Sequence, residues 1–164
     1  MIYCVAGSAA CAPDDLARFQ NLFKNYEITY VAVNEQITRF PDRPAFGATV
    51  HPEDAHRFVR DGVPIFSTRA APGVDFVYDE RPYRNGTSGL YAVGWILRSR
   101  PTALVYLAGV PIDDTPHFYD DKGLGDSLSS YQHFWQEALP RLRGKVFSMS
   151  GWTRELLGDP PDNK

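Results

Sequence analysis

The sequence predicts an α/β fold in which helices cover both faces of a mainly parallel sheet of about six strands. Short apolar runs rich in β-branched residues alternate with segments of helical periodicity along the chain. The 164 residues are enough for one domain with a substantial core, and 43% of them are hydrophobic. Strands and helices that alternate in this way pack as three layers, α/β/α, joined by right-handed crossovers.

The first half of the chain contains most of the predicted strands. Apolar and β-branched runs predict strands at 2–6, 27–34, 46–50 and 63–69. A helix is predicted over 13–26, because apolar residues recur at helical spacing behind Pro13 and two aspartates. A second, shorter helix is predicted to follow His51 and to end at Gly62.

The second half continues the alternation after a long loop at 70–86. Helices are predicted at 88–100, 129–142 and 151–157, and strands at 102–112 and 145–150. Ser150 is the expected N-cap of the last helix, and Gly158 lies just past its end. Residues 1–158 are therefore expected to form a single domain, with 159–164 as a frayed tail.

Composition narrows the classes of function. A net charge of -3 and a pI near 5.8 provide no broad basic surface, so we expect no general binding of DNA or RNA. No signal peptide pattern is present, and no apolar run approaches the ~20 residues that span a bilayer. Cys4 and Cys11 flank a glycine turn and are expected to remain reduced thiols. These observations predict a protein of the reducing cytoplasm without a membrane segment.

Residues 85–89, Asn-Gly-Thr-Ser-Gly, lead into an apolar helix. A helix N-terminus presents unpaired N–H groups and a partial positive charge. Thr87, Ser88 and Gly89 are therefore candidates for holding a phosphate or carboxylate through hydroxyls and amides. The alternative is a plain Ser or Thr N-cap that contributes ~1 kcal/mol and binds nothing. Taken alone, the stretch favours the cap.

Further candidate binding residues follow the predicted strands. Open parallel sheets bind ligands at the carboxyl ends of the strands, near the point where strand order reverses. That rule selects Gly7, Ser8, Asn34, His51 and the segment that runs from Gly109 to Asp114. It also selects Thr68, Arg69 and residues 148–151, which follow two other predicted strands. A tight turn is the alternative for Gly7, and a turn or cap for Asn34. The first loop has neither G-x-G-x-x-G nor a P-loop lysine, and the segment at His51 matches no zinc pattern, so we expect no metal site.

The loop at 113–129 carries candidates for acid–base chemistry. Histidine is a common general base, so His117 could take a proton from an acceptor hydroxyl, while Tyr119 assists a leaving phosphate. The alternative is a solvated acidic loop, since four aspartates lie within residues 113–121. From the residues alone the two interpretations stand about level.

The block RNGTSGLYAVGWILRSRPTALVYLAGVPID resembles the core of the bacterial sialyltransferases of glycosyltransferase family 42 and of the related motility-associated and pterin-pyrophosphokinase-like proteins. In that family T-S-G-[VL]-Y opens a helix, the next strand reads [IV]-Y-L-x-G, and a loop with catalytic Tyr and His follows. The matching positions are 87–91, 105–109, and Tyr119 with His117. The closing KVFSMSGWTRELLG resembles the family's last strand and helix, and also segments of bacteriophage proteins of unknown function.

The resemblance implies a Rossmann-like nucleotide-binding domain with cytidine monophosphate as the carrier. Asn34, which ends the second strand, would help to read the nucleotide, and residues 87–89 would hold the phosphate or the sugar carboxylate. A nucleotide or nucleotide-sugar is the implied ligand, with no further cofactor. The implied location is the cytoplasm of a bacterium or of a phage-infected host cell.

Three functions remain open at this point. The first is a glycosyltransferase-like enzyme that displaces a nucleotide from an activated sugar without a metal, with His117 as base. The second is a protein that binds or sequesters a nucleotide or nucleotide-sugar without turnover. The third is magnesium-dependent pyrophosphoryl transfer, in which the aspartates of residues 113–121 hold the ion. The base, the sugar, the acceptor and any homo-oligomer are left open.

Overall fold

The computed structural model describes residues 1–81 and 83–161 and contains one sheet of seven parallel strands. The strands are β1 (Ile2–Ala6), β2 (Ile28–Val33), β3 (Phe46–Thr49), β4 (Ile65–Ser67), β5 (Phe76–Val77), β6 (Leu104–Ala108) and β7 (Val146–Ser148). The helices are α1 (Ala12–Leu22), α2 (Gln36–Arg39), α3 (Ser88–Ser99), α4 (Leu128–Leu142) and α5 (Gly151–Leu157). The predicted α/β class and its parallel sheet are confirmed. No described helix combines the length and apolar character needed to cross a membrane.

The sheet has one strand more than the sequence predicts. β5 lies within the predicted loop at 70–86 and pairs with β4 at the edge of the sheet. Both of its residues are exposed, so no buried apolar run marks it as a strand. The helix expected to end at Gly62 is a 3₁₀ helix, Pro52–Arg57, and the pattern does not indicate the one-turn helix α2.

Side chains of the central strands alternate between two apolar layers. Tyr3 and Val5 of β1 belong to the larger core with residues of α3 and α4, whereas Cys4 and Ala6 pack on the other face with α1. Every residue of β1 is buried. Burial on both faces explains why this strand is a continuous apolar run in the sequence.

The strand order β5-β4-β3-β2-β1-β6-β7 places the reversal of the sheet between β1 and β6. The chain runs outward from β1 to β5, then crosses back through α3 to the other side of β1. At such a reversal the loops that follow the two strands diverge and leave a crevice at the carboxyl edge. The fold therefore places a crevice between the loops after β1 and β6.

Close packing at this reversal requires glycine after both strands. A Cβ on Gly7 would overlap the carbonyl oxygen of Gly109. Gly109 itself has a φ of 68°, and a Cβ there would lie 2.5 Å from Cβ of Ala12. The Gly7 N–H donates to the carbonyl of Ala108 at 2.8 Å. The two glycines thus let the ends of β1 and β6 approach while the chain turns away.

The predicted tail at 159–164 packs against the domain where it begins. The carboxylate of Asp159 accepts hydrogen bonds from Arg18 at 3.1 Å and from Arg154 at 3.0 Å. Pro160 is buried. Residues 159 and 160 therefore stay with the domain, while 162–164 lie outside the described residues.

Candidate functional site

A cavity of about 320 Å³ opens at the carboxyl edge of the sheet, at the reversal between β1 and β6. Its volume falls in the range of small-molecule sites. Ten candidate residues from the sequence line it: Gly7, Ser8, Asn34, His51, Thr87, Ser88, Gly89, Gly109, His117 and Tyr119. Thr68, Arg69 and residues 148–151, which the strand-end rule also selects, are not among the described lining residues. The fold thus brings together residues that the chain carries in separate stretches.

The N-terminus of α3 forms one wall of the cavity. Thr87 is the N-cap, and its hydroxyl oxygen accepts a hydrogen bond from the backbone N–H of Leu90 at 3.3 Å. The indole N–H of the buried Trp135 donates to the same oxygen at 3.3 Å. Both lone pairs of the hydroxyl are therefore engaged, and its hydrogen is left to donate. The cap interpretation holds for Thr87 without excluding a ligand.

Ser88 ties α3 to the ends of β2 and β3. Its hydroxyl donates to the side-chain oxygen of Asn34 at 2.9 Å and accepts from the backbone N–H of Val50 at 3.1 Å. Ser88 is only 4% exposed. Asn34 has a φ of 51°, a conformation that asparagine tolerates better than most residues. Because the amide oxygen faces Ser88, the NH₂ group of Asn34 is the part that can donate to a ligand.

Gly89 and His51 are the other two candidate binding residues near this wall. A Cβ on Gly89 would lie 2.7 Å from Cγ1 of Val110, so glycine lets α3 approach the segment after β6. His51 is exposed at the rim, and its Nδ1 lies 3.7 Å from Oε1 of Glu53. Gly89 contributes close backbone approach, and His51 contributes a titratable group at the cavity mouth.

Behind the two glycines lies a buried polar network. Asp15, in the first turn of α1, is 6% exposed. Its Oδ2 accepts hydrogen bonds from the N–H of Gly109 at 2.8 Å and from the hydroxyl of Ser150 at 2.6 Å. The Ser150 hydroxyl also lies 3.3 Å from Sγ of Cys11. Burial raises the pKa of the Cys11 thiol to about 11, so the sulfur stays protonated at neutral pH and is a poor nucleophile.

Residues 116–119, here named the strap, cross over the loop that follows β1. The N–H of Ala10 donates to the carbonyl of Pro116 at 2.8 Å, and the N–H of Phe118 donates to the carbonyl of Ser8 at 3.0 Å. The two segments run antiparallel where they meet. These two hydrogen bonds hold the candidate catalytic residues His117 and Tyr119 over the reversal between β1 and β6.

The side chains of the strap form a stack. The rings of His117 and Tyr119 lie parallel, with centroids 4.9 Å apart and an interplanar angle of 7°. The guanidinium of Arg39 lies over the rings of Phe118 and Tyr119, 5.1 and 5.6 Å from their centroids. Nδ1 of His117 lies 3.2 Å from Oδ1 of Asp120. If Nδ1 carries the proton that Asp120 accepts, Nε2 is the basic nitrogen.

Tyr119 is suited to donating a hydrogen bond. Burial, together with the nearby carboxylates of Glu35 and Asp120, raises the pKa of its phenol to about 12. The phenol is therefore protonated at physiological pH and is too weak an acid to titrate there. A protonated phenol at the cavity wall can donate to an anionic oxygen.

The ionisable lining of the cavity is acidic. Glu35, Asp54 and Asp113 line it, and no lysine or arginine is among the described lining residues. The rule that selects residues directly after predicted strands identified Asn34 and His51 but not Glu35 and Asp54, which follow them in the chain by one and three positions. An anion bound here relies on helix N–H groups and hydroxyls, because no side-chain cation of the described lining faces it.

The aspartates of the 113–121 loop bond to their own loop. Oδ1 of Asp113 accepts from the N–H of Thr115 at 2.9 Å, and Oδ1 of Asp120 accepts from the N–H of Lys122 at 3.1 Å. In the part of the chain that the structure describes, no three His, Cys, Asp or Glu side chains are grouped so that they could hold a metal ion. The arrangement therefore offers turn-forming carboxylates and no ready set of metal ligands.

Comparison of the chain with protein-family models, curated proteins and solved structures found no match. The resemblance to glycosyltransferase family 42 therefore rests on the blocks at 87–91 and 105–109. Both blocks end or begin at the cavity, since the first opens α3 and the second forms β6 and Gly109.

Proposed function

We propose that this protein binds a nucleotide-activated sugar of the cytidine monophosphate type in the cavity at the reversal between β1 and β6. It then transfers the sugar to a hydroxyl acceptor. The observation that carries the proposal is the meeting of ten candidate residues around one cavity of about 320 Å³. Nucleotides bind at this position in open parallel sheets. The blocks at 87–91 and 105–109 add the resemblance that implies a cytidine carrier.

The start of α3 is the proposed phosphate site. Thr87 caps the N–H of Leu90. The N–H groups of Ser88 and Gly89 in the first turn are left without an intrahelical acceptor, and the helix dipole favours a negative group there. Thr87 has a hydroxyl hydrogen left to donate. The described lining contributes three carboxylates and no lysine or arginine, so each additional phosphate would meet more repulsion. The cavity therefore suits one phosphate better than three.

In the proposed reaction an acceptor hydroxyl attacks the anomeric carbon of the bound sugar. Nε2 of His117 takes the hydroxyl proton as the new C–O bond forms, and the bond between the anomeric carbon and the phosphate oxygen breaks. The phenol of Tyr119, protonated because its pKa is about 12, donates a hydrogen bond to the departing oxygen. The nucleoside monophosphate leaves with the bonding electron pair and stays at α3.

A second candidate function is binding of the nucleotide without turnover. The side chains of His117 and Asp120 are 29% and 35% exposed, so water has access to the proposed base. A transferase must exclude water from an activated sugar, whereas a binding protein need not. Magnesium-dependent transfer is less well supported, because Asp113 and Asp120 bond to their own loop.

We also propose that the protein works in the cytoplasm. Cys4 is buried and Cys11 is half-buried, and neither forms a disulfide. Free thiols of this kind persist in a reducing compartment.

Thermal unfolding with cytidine monophosphate tests the binding step. A ligand at one hundred times its dissociation constant stabilises the folded state by about 2.7 kcal/mol. We expect the melting temperature to rise with cytidine monophosphate and to rise less with the triphosphate at the same concentration. No shift with any nucleoside monophosphate would reject nucleotide binding.

Release of cytidine monophosphate from activated sugars tests turnover. His117→Ala should reduce the rate by about 10²- to 10⁴-fold, because the general base is lost, and should leave the affinity for cytidine monophosphate unchanged. His133→Ala, at an exposed histidine of α4, is the matched control and should retain activity. Nucleotide binding without release from a panel of activated sugars would reject the enzyme and leave the binding protein.

A further inference from the structure

Ile112, in the segment after β6, has a strained backbone. Its φ is 48°, in the left-handed region where a β-branched side chain meets steric conflict. Asn34 and Asp121 are the other described non-glycine residues with positive φ, and both are of types that tolerate it. A β-branched residue remains in this conformation only where its surroundings impose it.

Contacts from α4 and α5 impose the conformation of Ile112. The side-chain NH₂ of Gln132 donates to the carbonyl of Ile112 at 3.1 Å. The hydroxyl of Thr153 donates to the carbonyl of Val110 at 2.6 Å, and the N–H of Thr153 donates to the carbonyl of Pro111 at 3.0 Å. Three consecutive carbonyl groups are thus held by side chains and backbone of two helices.

Gly151 closes the same corner from the start of α5. It has a φ of 65°, and a Cβ there would overlap Cβ of Pro111 and lie 2.5 Å from Oδ2 of Asp113. The backbone at Gly151 therefore packs directly on the segment after β6. Residues 150–153, Ser-Gly-Trp-Thr, therefore support this side of the cavity.

The side chain of Ile112 is buried in the larger core and lines the cavity, with 5% of its surface exposed. Pro111, Leu124 and Tyr131 also line the cavity, from the segments after β6 and from α4. The lining that follows β2 and β3 mixes Asn34 and carboxylates with Val50 and Phe58, whereas residues 110–112 form an unbroken apolar run. The cavity therefore has an apolar side where the chain leaves β6, ahead of Asp113.

We propose that Ile112 is a specificity-determining residue, which the start of α5 holds in a left-handed conformation so that its side chain contacts the planar base of the nucleotide. Its role rests on the proposed function, since it assigns the apolar side of that same cavity to the base. The aliphatic side chain of Ile112 and the ring of Tyr131 can contact a flat base through dispersion forces and bury it from water.

Two probes separate base binding from phosphate binding. Cytidine monophosphate carries a base, and ribose 5-phosphate carries a sugar phosphate without one. By titration calorimetry, Ile112→Ala should weaken the binding of cytidine monophosphate on the order of tenfold and leave ribose 5-phosphate unchanged. Ile65→Ala is the matched control, because Ile65 is 1% exposed and lies in β4, outside the cavity lining. If Ile112→Ala fails to fold, Ile112→Val should still weaken cytidine monophosphate about threefold.

The order of two melting temperatures tests the strain without any ligand. Glycine accepts a φ of 48° and alanine does not, so Ile112→Gly should melt above Ile112→Ala. At Ile65, within a strand, Ile65→Gly should melt below Ile65→Ala. If Ile112→Gly melts below Ile112→Ala, as is expected at position 65, the imposed left-handed conformation of Ile112 is overturned.

The binding outcomes distinguish this inference from the proposed function. If Ile112→Ala weakens both probes equally or weakens neither, the base contact is overturned, while binding of cytidine monophosphate by the wild type still supports the proposed function. If the wild type binds ribose 5-phosphate as tightly as cytidine monophosphate, the base contact is also overturned. If the wild type binds neither probe, the proposed function fails and the role of Ile112 fails with it.

Discussion

The two walls of the cavity are held in different ways. At the α3 wall, Ser88 bonds to Asn34 and to the backbone at Val50, so three regular elements meet through buried polar groups. The strap at 116–119 is irregular, and two backbone hydrogen bonds and one exposed arginine hold it over the loop after β1. The wall proposed to bind the phosphate is thus preorganised, and the wall proposed to act on the sugar is held by fewer contacts.

Burial shows the same contrast. Ser88 is 4% exposed, whereas the side chain of His117 is 29% exposed. Segments with few buried contacts open locally at lower free energy than the core does. Under the proposed function, a rigid phosphate site beside a more weakly held base would allow substrate to enter and product to leave without disturbing the sheet.

The largest effect is expected at Gly109, where the end of β6 packs against α1 and the loop after β1. Gly109→Ala should lower the free energy of unfolding by on the order of 3 kcal/mol or more, because the new Cβ meets Ala12 and the φ of 68° disfavours alanine. Gly144→Ala is a close control, with a φ of 72° and nothing within 4 Å of its Cβ, and should cost about 1–2 kcal/mol. Equal losses in urea unfolding would show that the close approach after β6 is unimportant.

A change at Asp120 tests the difference between the two walls, because it affects the strap and leaves the α3 wall intact. Asp120→Asn should lower the rate of sugar transfer by up to about tenfold, because a neutral amide oxygen holds His117 and its developing positive charge less strongly than a carboxylate does. The affinity for cytidine monophosphate should not change. Asp121→Asn removes the same charge one residue later and should retain the wild-type rate. A loss of affinity in Asp120→Asn would mean that the strap also binds the phosphate.

Ser88→Ala affects the α3 wall alone. The N–H of Val50 and the amide of Asn34 lose their partner, so the free energy of unfolding should fall by about 1–2 kcal/mol. The shift in melting temperature with cytidine monophosphate should also shrink. Ser99→Ala, at the exposed end of the same helix, should change neither quantity. An unchanged nucleotide shift in Ser88→Ala would remove the α3 wall from the proposed site.

The smallest effect is a pH dependence at Tyr119. The folded-state pKa of about 12 lies above the value near 10 of an unfolded chain, so the native state holds the phenol proton more tightly. This stabilisation is fully present below about pH 10 and is lost as the pH rises through about 12. Between these values the wild type should lose stability more steeply than Tyr119→Phe. Parallel curves for the two proteins would contradict the raised pKa.

The sheet could be predicted where burial leaves a pattern in the residues. β1, β2 and β6 are apolar runs because helices cover both of their faces, and a glycine follows β1 and β6 while Asn34 follows β2. β5 has two exposed residues and depends on its neighbour β4 for pairing, so no local pattern indicates it. Asp15 could be assigned from the sequence only to a helix start, since its partner Gly109 is 94 positions away.

The amino-acid sequence by itself determined the alternation of strands and helices and the chemical types that follow each strand, because burial and helix capping act over a few residues. Tertiary structure alone decided which of those residues meet. Ser88 reaches Asn34 across 54 positions, and Ser150 contacts Cys11 across 139. The conformation of Ile112 likewise depends on Thr153 and Gln132, which approach it only when α4 and α5 pack beside β6 and β7. Contacts between distant segments depend on the order of strands in the sheet, which no local run of residues encodes.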